Sequence, residues 1–166
     1  MLSSIINTIR PALLEGFSLF SDLEGFLASH GGVIPPHIYV TNLKPDLFIV
    51  NETTKVAVVL ELTCPWDANI ERSHQYKQEK YAPLIADLSR EFNVFYFPVE
   101  VSVRGQISKG NRARLKAFLF RCCQEPRKLH STILRVSSRA SLLCSFSVFC
   151  ARKEPSWGSP SLLTVR

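Results

Sequence analysis

The sequence predicts an α/β fold, a central mixed sheet of about four strands flanked by helices, and three observations carry that expectation. Apolar residues recur at intervals of three and four near both ends of the chain, the spacing of a helix with one buried face. The run Val56-Ala57-Val58-Val59-Leu60 is apolar without alternation, as in a strand covered on both faces. The order helix, three strands, helix, strand, helix then places helices over a sheet rather than building an all-β protein.

Taken in order, residues 1–30 read as helical, with Ile5, Ile6, Ile9, Leu13, Leu14 and Phe17, then Phe20, Leu23, Phe26 and Leu27, interrupted at Pro11 and Gly16. After Gly31-Gly32 and Pro35-Pro36, three β-rich runs follow: His37 to Thr41, Pro45 to Val50 and Val56 to Thr63. The polar stretch Asn51 to Lys55 makes the last two a hairpin. Pro65 ends the third run, and Asp67 is a suitable N-cap for a long helix to about Phe92, with Pro83 as a kink. Asn93 to Val103 reads as a further strand. Asn111 to Gln124 reads as a basic helix broken by Pro126, Ser131 to Ala151 as a last helix, and Pro155 to Arg166 as a loose tail.

A chain of 166 residues with 46% hydrophobic residues suits one domain with one sizeable core. We divide it into an N-terminal helical segment at 1–34, a core at 35–125, and a C-terminal helix and tail at 126–166. Uninterrupted apolar stretches stay well below the roughly 20 residues that span a bilayer, so no membrane-spanning segment is expected. The start lacks a basic segment and cleavage site, which points to mature protein. Five cysteines without a C-x-x-C pair argue against a disulfide framework or a zinc ribbon and for an intracellular location.

Charge is divided unevenly. Residues 1–103 hold 7 Lys/Arg against 12 Asp/Glu, whereas residues 104–166 hold 13 against 2. An acidic half suits cations and a basic half suits polyanions, either nucleic acid or an acidic membrane surface. Lys109, Arg112, Arg114 and Lys116 open the basic helix and are the candidate phosphate contacts.

The hairpin brings candidate chemistry together. With its turn centred between Thr53 and Thr54, the antiparallel register sets Asp46 opposite Glu61. Residues so paired have Cβ atoms about 4.5–5.5 Å apart, close enough for two carboxylates to share a hard cation. Glu61 is the only acid in its apolar strand, and a buried charge needs a metal or a partner. On the following helix Ile70, His74, Lys77, Tyr81, Ile85 and Leu88 form a stripe facing the sheet, with Lys77 in its middle and Lys80 at its edge. His74 shares that stripe, suited either to the cation site or to a satisfied place in the core. Trp66 and Trp157 suit stacking on bases or packing in a core or interface.

At these residues the chain resembles the PD-(D/E)XK nuclease superfamily. Lys44-Pro45-Asp46 opens one strand, and Glu61-Leu62-Thr63 closes the next after fourteen intervening residues. Lys77-Gln78-Glu79-Lys80-Tyr81 matches the K-x-x-K-Y element of the restriction-like endonuclease domains of non-LTR retrotransposon polyproteins, and Glu61 to Asp67 is similar to that family too. The resemblance covers Pro35 to about Phe120. It implies a restriction-endonuclease-like core that nicks DNA with Mg²⁺ or Mn²⁺ held by Asp46 and Glu61, with the Leu62 carbonyl as a further ligand. It also implies a nuclear location and a reverse transcriptase domain or a second copy as partner. The superfamily's usual lysine is replaced by Thr63, and the resemblance implies that a lysine of the following helix serves instead as the catalytic one; helical spacing selects Lys77, with Lys80 as a phosphate contact or substitute. A third acid often precedes the sheet; Glu15, Asp22 and Glu24 are candidates. The competing expectation is a catalytically silent DNA-binding or interaction module on the same fold.

Overall fold

The computed structural model describes residues 1–23 and 32–151. The tail at 155–166, Trp157, and the positions of Glu24, Phe26 and Leu27 lie outside the described residues. The chain runs through α1 (Leu2–Ile9), a 3₁₀ turn (Arg10–Ala12), β1 (Ser18–Ser21), β2 (Leu47–Asn51), β3 (Val56–Thr63), a second 3₁₀ turn (Asp67–Asn69), α2 (Ile70–Leu88), β4 (Asn93–Glu100), α3 (Lys109–Cys122) and α4 (Pro126–Ala151). The four strands lie in the order β1-β2-β3-β4, antiparallel except for the parallel β3–β4 pair. The protein is α/β with a mixed sheet, as its sequence predicts.

Helices cover both faces of the sheet. On one face Leu47, Ile49, Val58 and Leu60 pack with Ile5, Ile6 and Ile9 of α1, Leu115, Phe118 and Leu119 of α3, and Ile133 of α4. On the other, Phe48, Val50, Ala57 and Val59 meet Tyr81, Leu84 and Leu88 of α2 and the segment carrying Val33 and Ile34. Every residue of β2 is buried, which explains why β2 and β3 are apolar on both sides. The four-residue turn between them is fixed by the Asn51 side chain, which accepts from the Thr54 N–H at 2.9 Å, and by Lys55 at φ +55°.

Several boundaries differ from expectation. The first strand is Ser18–Ser21, inside the segment read as helical, and not His37 to Thr41. The described part of the 1–34 segment therefore gives one strand to the sheet and is not purely helical. Ser18 to Ser21 pairs along the outer edge of β2, and an edge can be occupied only once. The His37 region instead turns back on Pro35, whose carbonyl accepts from the N–H groups of Ile38 and Tyr39. Asp67 is not the N-cap of α2: it pairs with Arg104, and the helix begins after Asn69. Pro126 opens α4 instead of only ending α3, a first-turn position that suits its missing N–H.

By length and composition alone, α4 is long and apolar enough to cross a membrane. Counting uninterrupted apolar residues misses this, because serines dilute the run without adding charge. Ser141 and Ser145 instead donate to the carbonyls of Ser102 and Val103 at 2.6 Å. Gly105 lets that loop approach: it has φ +75°, and a Cβ there would lie 2.6 Å from the Ser138 carbonyl oxygen.

Candidate active site

The register continues one step beyond Leu47↔Leu60 to set Asp46 against Glu61. The two side chains are interlocked with the backbone. Asp46 Oδ2 accepts from the Leu62 N–H at 2.7 Å, and Glu61 Oε2 accepts from the Asp46 N–H at 3.2 Å. Because β2 ends here, the inward-facing polar groups of β3 have no strand partner and take the Asp46 carboxylate instead.

Lys77 comes from α2 and forms an ion pair with Glu61 Oε1. Two tyrosines fix the parts around this pair. Tyr81 donates to the Lys44 carbonyl at 2.9 Å, just before Pro45-Asp46, and Tyr96 donates to the Lys77 carbonyl at 3.0 Å. Burial and the negative charge of Glu61 push both phenols well above their usual range, so they act as neutral donors. Lys80 is exposed, with its Nζ 5.0 Å from the Tyr81 ring centroid, and makes no ion pair among the described residues.

Asp46 carries the clearest electrostatic signature. Burial first, and the Glu61 charge second, raise its carboxyl from the ordinary 3.8 to about 6. The Leu62 N–H and the Lys77 charge pull the other way without cancelling the rise. Asp22 adds to it. It lies just beyond the Ser21↔Leu47 pair that ends the β1–β2 ladder. Its carboxylate is 3.8 Å from Lys44 Nζ. Glu15 is exposed and meets Asn51 only through its backbone carbonyl; Glu24 lies outside the described residues.

The donor set suits a hard divalent ion. Among the described residues no three acids, histidines or cysteines cluster at ligating distance, but Mg²⁺ is commonly held by one or two carboxylates, with water and substrate phosphate completing its shell. Asp46 Oδ1 accepts no hydrogen bond from described residues. Strand alternation turns the Leu62 carbonyl to the same side as its N–H, toward Asp46.

His74 turns away from this pair. Its Nδ1 lies 2.9 Å from Oε1 of Glu100, a residue only 1% exposed. Sequence reasoning missed Glu100, because the expected strand ran through it to Val103 and nothing in Phe97-Pro98-Val99-Glu100 sets it apart. Glu100 pairs in register with Thr63; Glu100 Oε2 and Thr63 Oγ1 are both buried without a hydrogen-bond partner. Arg114 Nη1 stands 3.8 Å from Oε2. The four candidate phosphate contacts on α3 therefore divide: Lys109, Arg112 and Lys116 are exposed, while Arg114 is turned inward to Glu100 and Asn111.

Compared with known protein families and with curated proteins, the chain matches none.

Proposed function

We infer that the chain is a divalent-metal-dependent DNA endonuclease of the PD-(D/E)XK type, similar to the domains of non-LTR retrotransposons. The single observation that carries this reading is the facing pair Asp46 and Glu61 at an open sheet end, with the Lys77 amine drawn to the same point. Asp46 and Glu61 are the groups to hold Mg²⁺ or Mn²⁺, with Asp22 near enough to add negative field. When bound, such an ion polarises a phosphodiester and makes its water a better nucleophile. Lys77 is suited to orient that water or to offset charge gathering on the phosphate oxygens. Tyr81 and Tyr96 hold the two backbones that carry these groups. The exposed face of α3, with Lys109, Arg112 and Lys116, supplies a sequence-independent grip on DNA.

Two observations favour a second reading, a DNA-binding module without catalysis. The ion pair with Lys77 already compensates the Glu61 charge, and Thr63 stands where a lysine is usual. Nicking of supercoiled plasmid with Mg²⁺ or Mn²⁺ separates the two. Metal-dependent nicking that Asp46→Ala abolishes supports the enzyme; salt-sensitive binding with no cutting in either metal leaves only the module.

A further inference from the structure

Trp66 is 67% exposed and Tyr76 is 61% exposed, although both flank elements with well-filled cores. With Cys64, Arg72, Ser73 and Val103 they line an open groove of about 440 Å³, within the range of ligand-binding clefts. Among the described residues Arg72 is its only charged wall, and no acid lines it. The groove borders the candidate active site: Cys64 lies three residues beyond Glu61, and Ser73 lies one helical turn before Lys77. A polyanion anchored by a phosphate at Asp46 and Glu61 has this groove as its immediate neighbour. Aromatic rings beside a guanidinium, with no acid in the wall, form a surface for a base face and a phosphate together. Within a duplex both faces of each base are already stacked, so only an unpaired nucleotide can use such a surface.

We propose that Trp66, Tyr76 and Arg72 form a stacking platform for an unpaired nucleotide of the strand whose phosphate lies at Asp46 and Glu61. The inference rests on the nuclease reading for its polyanionic ligand. It narrows the substrate class to DNA that is single-stranded or locally opened beside the cut. Arg72 takes a backbone phosphate, and the rings take the base.

The test uses the full chain carrying Trp157→Phe, which leaves Trp66 as its only tryptophan. Oligothymidylate and a duplex of equal length are titrated in turn, with chelator present to prevent cutting. Saturable quenching of Trp66 emission by the single strand is expected. In parallel, Trp66→Ala should weaken single-strand binding roughly 5- to 150-fold, the span of base–aromatic stacking, and leave duplex binding unchanged. Trp66→Phe should recover most of the loss. Absence of quenching overturns the platform, as does an equal loss on both nucleic acids. A dimer in sedimentation that Trp66→Ala dissociates also overturns it, because the patch then serves a second copy. Plasmid nicking is measured alongside: nicking without quenching removes the platform alone, whereas quenching without nicking removes the hydrolytic reading and leaves the stacking groove.

Discussion

Replacing Asp46 with asparagine should make the protein more stable at neutral pH, and the pH dependence of that gain is the informative quantity. In the folded chain the Asp46 carboxyl is raised from 3.8 to about 6. Well below pH 4 both folded and unfolded chains hold the proton, and Asp46 costs nothing. As pH rises from 4 to 6 the unfolded chain releases it first, the folded chain binds more protons, and stability falls. Above about pH 6 the loss levels off near 3 kcal/mol, since each pKa unit is worth about 1.4 kcal/mol. Asparagine keeps an oxygen for the Leu62 N–H and removes the charge. The variant should therefore come within about 0.5 kcal/mol of wild type near pH 4 and exceed it by up to about 3 kcal/mol at pH 8. For a domain of this size that is about 6–12 °C in melting temperature. Thermal melts of both proteins from pH 4 to pH 8 measure the difference directly. Millimolar Mg²⁺ at pH 8 should raise the wild-type melting temperature and leave Asp46→Asn unmoved, because only an ionised pair gains from the cation. A variant that is equally or less stable at pH 8, or a difference that does not shrink toward pH 4, would refute the argument that Asp46 is held there against its own electrostatics.

Lys77→Met strands the buried Glu61 carboxylate and should cost about 3–5 kcal/mol; adding Glu61→Gln should restore most of it in denaturant melts while nicking stays absent. Lys80→Ala, at an exposed position, should change stability by no more than about 0.5 kcal/mol, read in the same melts. Lys109→Ala, Arg112→Ala and Lys116→Ala should each lower the slope of log affinity against log salt by about 1 in fluorescence-anisotropy titrations, whereas Arg114→Ala should act mainly on stability through Glu100. Gly105→Ala forces a side chain onto the Ser138 carbonyl at a positive φ, and a loss of at least about 1 kcal/mol is expected by chemical denaturation.

The parts of this structure that were legible in the sequence are those in which local chemistry dictates geometry. A polar turn of fixed length between two apolar runs sets the β2–β3 register, and that register alone brings Asp46 to Glu61. Helical spacing then fixes which face of α2 meets the sheet, so Lys77 reaches Glu61 and Lys80 does not. The first strand was hidden for the opposite reason. Four residues with one buried serine, Ser18 to Ser21, carry too short an alternation to outweigh Phe17, Phe20 and Leu23 at helical intervals. Its pairing is decided by the free edge of β2, which no local pattern records. The same limit applies to Glu100, whose neighbours His74 and Arg114 arrive from two separate helices. Asp22 joins both cases: it was one of three equivalent acids until β1 paired with β2, and that long-range pairing is what brings it near enough to raise the Asp46 carboxyl. The candidate site was thus readable as far as the hairpin and α2 extend, and the place of Asp22 beside it depended on an edge that only tertiary structure assigns.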